Sequence, residues 1–471
     1  MKEVQNKELL SQRLLTLFEE HFDELAKYDS EANKNIRKEA IEAFKANGFP
    51  KDDQEKWRYT DVSWIEEEDF RFPALEAKDC KGKVKDLFHC TIHDMEATLL
   101  TVVNGRYVSD NSKLTRLDNG VIMGSLAEAK KDYPELVNKY FAQAADVQLS
   151  GFTALNTALA VDGVFVYVPD NVVLDKPVQM VSLITNEANL FVQNRNLIVV
   201  GKNAELTLVQ CDDSNNHDMS FANSLTEVFV EDNGKLDRYK LQNLNDNSAL
   251  INASFIKQAR DSRMSTTAVT FNGGLIRNDI QVDLNGKNAF ADVRGLYLMD
   301  KEQHVDNQIR LNHFMPNCDS NELFKGILDD EATAVFNGHI YVQKDAQQTN
   351  AFQNNKNIIL KPTATVDTMP FLEIYADDVK CSHGATVGQL DTEAMFYMRQ
   401  RGISQHNARM LLMYAFAADV IKDIRIEALR NRIDDMIKKR LRGELSICDT
   451  CVLHCGSPEK EIHFDIDTSK I

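Results

Sequence analysis

From about Gly163 to about Val387, apolar and polar residues alternate in short runs, and turns of one chemical kind cut the runs at similar intervals. Ile280, Val282 and Leu284 alternate with Gln281, Asp283 and Asn285, and Val228 and Val230 alternate with Glu227, Phe229 and Glu231. A period of two belongs to strands, whose successive side chains point to opposite faces. Between the strands stand Gly201-Lys202-Asn203, Asp232-Asn233-Gly234-Lys235, Asp261-Ser262, Asn285-Gly286-Lys287-Asn288, Asp329-Asp330-Glu331 and Lys361-Pro362. These residue types favour turns. A strand–turn unit of roughly 25–30 residues, repeated without a helical interruption, describes one coil of a solenoid. A sandwich or closed barrel would favour antiparallel hairpins and about 100–200 residues per domain. Stacked parallel coils fit the longer run better. The expected fold is therefore mainly β, a right-handed parallel β-helix core flanked by α-helical N-terminal and C-terminal regions.

The flanks carry the helical period. Leu9, Leu10, Leu14, Leu15, Leu17, Phe18, Phe22 and Leu25 recur at helical spacing up to about Asp29-Ser30, and a second helix is expected from about Ala32 to Lys45, stopped by Asn47-Gly48-Phe49-Pro50. Mixed short strands and a helix near Ser125–Ala144 should follow. After Leu390 helices return. Asp391 is a good N-cap, Gly402 supplies a left-handed stop, and Ser404 begins a longer helix with Ala408, Leu411, Leu412, Ala415 and Phe416 on one face. Such a helical end is expected to cover the last coil, whose open backbone edge invites aggregation. The expected organisation is 1–150 mostly helical with short strands, 151–388 β-helix core, 389–445 C-terminal helices, and 446–471 a cysteine-containing tail.

Charge narrows the partners. With 72 acidic against 54 basic residues the net charge is −18, and a protein that binds nucleic acid needs clustered Lys and Arg to displace counterions. Neither nucleic acid nor an anionic membrane surface is an expected partner. No apolar run approaches spanning length, and the acid-bearing N-terminus does not resemble a signal peptide, so a cytoplasmic location is expected. Eight cysteines are then expected as reduced thiols rather than as a disulfide framework.

Two places concentrate metal-ligating side chains. In Asp377-Asp378-Val379-Lys380-Cys381-Ser382-His383, strand alternation puts Cys381 and His383 on one face. A thiolate beside an imidazole suits Fe²⁺, Zn²⁺ or a nascent cluster. The same pair is also compatible with simple packing plus a hydrogen-bonded histidine, and two ligands are too few for a closed tetrahedral site. The second place is the tail, where Cys448, Cys451, His454 and Cys455 could bind Zn²⁺ or an iron–sulfur cluster, form a redox pair, or stay unstructured.

The run Phe336-Asn337-Gly338-His339-Ile340-Tyr341-Val342, then Ala346-Gln347-Gln348-Thr349, then Leu372 through Thr386 with its Cys-Ser-His-Gly-Ala-Thr, resembles the SufB/SufD family. Gly388-Gln389-Leu390-Asp391, Phe396-Tyr397, Arg401-Gly402-Ile403 and Trp57-Arg58-Tyr59-Thr60 extend the likeness. It is dense over about residues 330–420 and co-linear elsewhere. SufB members typically carry His-Glu-Ala where this chain has His383-Gly384-Ala385, so the resemblance is to the SufD members.

That resemblance implies a non-catalytic subunit of the SufBCD complex for iron–sulfur cluster assembly. SufB would pair with it through the β-helices, and the ATPase SufC would dock on its C-terminal helices around Asp391, Phe396, Tyr397, Arg401 and Gly402. His383, with Cys381 beside it, would sit at the interfacial cluster-assembly site, where SufB supplies the missing ligands. No cofactor would be held tightly by this chain alone, iron or a cluster being carried transiently at the interface. The shared interface also allows a homodimer in isolation. The tail has no counterpart in typical SufD chains. Two other readings stand beside this one: a SufB-like scaffold holding a cluster itself, and a β-helix carbohydrate-active enzyme.

Overall fold

A computed structural model describes residues 8–73, 75, 95–110, 112–185, 189–214 and 218–442. Cys448, Cys451, His454 and Cys455 lie outside the described residues. Two short hairpins come first: β1 (Thr98–Val103) with β2 (Arg106–Val108), and β3 (Leu114–Arg116) with β4 (Ile122–Ser125). Sixteen strands then run from β5 (Val164–Val168) to β20 (Val379–Gly388). Alternate strands join alternate sheets, so that β6, β8 and onward to β20 form one parallel stack and β5, β7 and onward to β19 the other. Each coil thus contributes one strand to each sheet, and eight coils result. The hairpins close the first coil, β1 pairing with β6 and β4 with β5.

The turn clusters become the corners between sheets. Asn171, Asn203, Asn233, Asp261, Asn288, Asn317 and Gln348 all have positive φ, between 53° and 63°, the left-handed conformation that Asn and Asp adopt at least cost. Equivalent corners follow one another at 27 to 32 residues, as the sequence positions require. At two steps the amides form a ladder, Asn233 Nδ2 donating to Asn203 Oδ1 (2.9 Å) and Asn203 Nδ2 to Asn171 Oδ1 (2.8 Å).

Apolar side chains from both sheets meet between them. Leu206, Leu236, Met264, Ala291 and Ala351 rise in register up one sheet, and Leu250, Ile276, Val305 and Ala334 up the other. The flanking helices cover the outer faces. α1 (Leu10–Leu25), α2 (Glu31–Asn47) and α5 (Gly151–Leu159) bury Leu14, Phe44 and Phe152 against Phe191, Phe221 and Ile251 of the odd-numbered sheet. Two short helices, α3 (Leu126–Asp132) and α4 (Pro134–Tyr140), occupy the stretch expected to hold one, because Pro134 starts a new first turn.

The C-terminal helices do not cover the last coil, contrary to the expectation from sequence. α7 (Gln405–Ile421) and α8 (Glu427–Leu441) lie along the outer face of the even-numbered sheet. Met413, Val420, Leu429 and Ile433 pack there on Val209, Tyr239, Leu241, Val269, Phe271 and Leu298. Ion pairs fix them in place, Lys325 to Asp419 at 3.0 Å and Arg425 to Asp237 at 2.8 Å, and Arg440 Nε donates to the Phe271 carbonyl at 3.0 Å. The physical reason is that these strands carry an apolar set on their outward face as well, Val209, Tyr239, Leu241, Val269 and Phe271 among it, and that set needs a cover. Among the described residues the last coil, β19 (Thr365–Ile374) with β20, has one free edge on each strand.

Candidate functional site

The free edge can be read residue by residue. In β18 (Thr349–Ile359) the Asn350 N–H donates to the Cys318 carbonyl, toward the preceding coil. Main-chain groups of neighbouring residues alternate in direction in a parallel ladder. With Ala351 opposite Cys381, the N–H and C=O of Val379, Cys381, His383, Ala385 and Val387 therefore point outward at the open edge. On β19 the Thr365 and Tyr375 N–H groups donate back to Ala332 and Val342, so the even-numbered residues from Val366 to Ile374 face out. Pro370, which has no N–H to offer, falls on that outward set, as proline in a sheet does at edges. Phe352, Phe371, Ile374, Tyr375 and Val387 are exposed around this end.

Cys381 and His383 share one face, and it is the inward one. Cys381 packs against the inter-sheet core, and burial pushes its thiol above the usual value, with the Ala351 backbone opposing. His383 is exposed at the mouth of the interior. Behind it in register stand Gln353 and then Glu322, both buried. Gln353 Nε2 donates to Glu322 Oε2 at 2.9 Å. A Cβ on Gly338 would sit 1.9 Å from that same Nε2, which explains why the Phe336-Asn337-Gly338 run needs its glycine. Sequence reasoning missed this column because Glu322 looks like any polar residue of an alternating strand.

Burial pushes the Glu322 carboxyl up to about 8, with the Gln353 amide pulling the other way. The folded chain therefore keeps a proton that the unfolded chain releases above the ordinary carboxylate range. Stability tied to this group is full at low pH, falls as pH rises past that range, and stops falling near pH 8. Glu322→Gln, which keeps the shape without the acid, is expected to raise stability at pH 7 by roughly 3 kcal/mol and to flatten the profile between pH 5 and 8. Urea unfolding across that range checks it.

The sequence-expected docking residues gather on α6 (Thr392–Gln400). Asp391 Oδ1 caps it, accepting from Glu393 N (2.9 Å) and Ala394 N (3.0 Å). The helix buries none of its residues, and Phe396 and Tyr397 are 64% and 59% exposed. Arg401 stacks over the Tyr397 ring at 4.7 Å, and Gly402 has φ 86° where the helix ends. Cys381–His383 and this helix are separate places. Among the described residues, no three His, Cys, Asp or Glu side chains are grouped to hold a metal ion.

The Trp57-Arg58-Tyr59-Thr60 run also finds its place. Arg277 stacks over the Trp57 ring at 3.6 Å, and Thr60 Oγ1 donates to Asp306 Oδ2 at 2.6 Å. The N-terminal segment is thereby fixed onto the odd-numbered sheet.

Fold and edge together define a class: a parallel two-sheet solenoid, capped at its first coil, clothed by helices on both faces and open at its last coil. Residues 183–416 match the family model described as SUF system FeS cluster assembly, SufBD core domain, and residues 8–180 match the SufBD protein N-terminal region. The chain is 30% identical over 399 residues to the iron–sulfur cluster assembly protein SufD of Escherichia coli, covering 84% of this chain and 90% of that one. It is 28% identical over 417 residues to SufD of Bacillus subtilis, covering 87% and 94%. A SufBD family protein of Synechocystis is 29% identical over 417 residues, covering 86% and 90%. The chain belongs to the SufBD family of iron–sulfur cluster assembly proteins. Among the described residues no helix is long and apolar enough to cross a membrane.

Proposed function

We propose that the chain is a SufD-like, non-catalytic subunit that joins a SufB-type chain edge to edge at the last coil and an ATPase of the SufC type at its C-terminal helices. The observation that carries this reading is the open coil. Among the described residues, strands β19 and β20 present unpaired main-chain groups, flanked by exposed Phe371, Ile374 and Tyr375. An unprotected edge of that length is a template for another strand. Iron or a nascent cluster is cargo in this reading. Cys381 and His383 supply at most two ligands from the edge strand, and the partner strand across the edge supplies the rest. The exposed Phe396–Tyr397 face of α6 is the SufC contact, aromatic residues being the usual anchors of such surfaces. In this reading the tail residues Cys448, Cys451 and Cys455, with His454, have a second, accessory role in holding iron or a nascent cluster.

Co-expression with the cognate SufB and SufC, followed by mass measurement on size-exclusion chromatography, tests the assignment. A stoichiometric assembly is expected. Replacing Phe396 and Tyr397 together by Ser should release the ATPase, weakening that contact at least about 100-fold, while the SufB-type chain stays bound. Elution of the unmodified chain alone, with or without ATP, would overturn the reading.

A further inference from the structure

A recess on the outer face of the odd-numbered sheet is used by none of the above. Its volume is about 480 Å³, within the range of small-molecule pockets. Its floor is a register row across four strands, Gln281, Arg310, His339 and Phe371. Its walls are the turn Glu55–Trp57 and the start of α5.

Two carboxylates, Glu55 and Asp279, line this recess beside three cations, Lys56, Arg277 and Arg310. Arg277 is fully engaged, donating to the Lys56 carbonyl and pairing with Asp279 and Asp306. Lys56 and Arg310 also line the recess, and among the described residues neither forms an ion pair. Arg310 spends only its Nε, on Asn312 Oδ1 at 2.9 Å, leaving both terminal nitrogens. Burial holds the Lys56 ammonium below its usual value, Asp279 and Glu55 pulling upward and Arg310 and Arg277 adding to the downward push. His339 is held down likewise by burial and then Arg310, and its Nε2 is engaged with Glu373 at 3.0 Å. Glu373 in turn accepts from the Tyr375 hydroxyl, and Arg310 helps to hold its carboxyl below the usual range. Among the described residues the Lys56 ammonium and the Arg310 terminal nitrogens thus have no direct side-chain acceptor, and an anion in the recess would supply one. Beside them stand Met369 and Phe371, the latter half exposed and edge-on to His339 at 4.9 Å between ring centres.

We infer that this recess is a binding site for a small organic anion, its carboxylate or phosphate head between Lys56 and Arg310 and its apolar body against Met369 and Phe371. Isothermal titration of the full chain with phenyl phosphate, benzoate and inorganic phosphate tests it. At least one organic anion should bind one to one with a submillimolar dissociation constant, inorganic phosphate binding about tenfold more weakly for want of the apolar contact. Comparison of the two organic anions decides between phosphate and carboxylate heads. Lys56→Gln and Arg310→Gln should each weaken binding at least about tenfold. Asn337→Asp, a near-isosteric change that places a negative charge in the recess, should abolish it with an unchanged circular dichroism spectrum. Absence of saturable heat for both organic anions, or unaltered binding by all three variants, overturns the inference.

Discussion

A chain carrying Ala385→Pro will fold as the unmodified chain does and fail to hold a partner strand. The alternation fixed by Asn350 and the register of β18 with β20 put the Ala385 N–H on the open side. Within the isolated chain that donor bonds to nothing in the ladder, so removing it leaves the β18 pairing whole. Gly384 precedes it and accommodates the extended backbone that a following proline demands. Across the edge the effect is large. A donor is lost and a pyrrolidine ring stands where the next strand would approach, a change worth about 3 kcal/mol or more, or about 100-fold in affinity. Thr386→Pro is the informative control, because its N–H points toward β18. That variant should lose stability itself, by a similar amount, before any partner is added. Thermal unfolding of both variants, followed by co-purification with the SufB-type chain, separates the two effects. An Ala385→Pro chain that still co-purifies in equal amounts would remove edge pairing from the proposal.

Much of the fold was readable because its corners repeat. Asn and Asp at left-handed positions, followed by alternating strands, need no tertiary knowledge to interpret. The side that each strand turns inward was harder to see. In β10 (Lys235–Asn243) Arg238 and Lys240 point into the space between sheets, while Tyr239 and Leu241 point outward under the C-terminal helices. Arg238 Nη2 donates across the interior to Ser254 Oγ at 2.9 Å, and Lys240 Nζ to Asn252 Oδ1 at 2.7 Å with Asp212 beside it at 2.8 Å. Alternation alone assigns such charges to solvent. The fate of α7 and α8 was written in the same strands, in the apolar outward set Val209, Cys211, Tyr239, Leu241, Val269 and Phe271, but only once the inward set was known. At the candidate site, the shared face of Cys381 and His383 follows from strand geometry. Gln353 and Glu322 behind them lie 30 and 61 positions earlier in the chain and become neighbours only through the coil register.

Glu227→Ala is expected to destabilise the chain more than any truncation of an exposed residue, by roughly 4 kcal/mol. By its alternation with Val228 and Val230, Glu227 belongs to the outward face, and so it does. That face is roofed, however, and Glu227 is wholly buried. Its Oε1 accepts from the Ala144 and Ala145 N–H groups at 2.8 and 3.1 Å, and its Oε2 from Ala142 N at 2.8 Å and Arg195 Nη2 at 2.6 Å. One carboxylate thus satisfies three main-chain donors in the segment after α4 and the charge of an arginine that is itself buried. Removing it strands all four. The Arg195 charge is the largest loss, since its remaining partners are the Thr157 hydroxyl at 2.8 Å and the Phe141 ring at 5.0 Å. Glu227→Gln keeps one acceptor oxygen and replaces the other by a donor aimed at donors, so it should cost a smaller but clear fraction of the alanine effect. Urea unfolding ranks the three chains. Removing the guanidinium as well, in Arg195→Met with Glu227→Ala, should recover part of the loss, because a missing pair costs less than half of one left buried. No recovery in the double variant would mean that the main-chain donors around Ala144, rather than the ion pair, carry the energy.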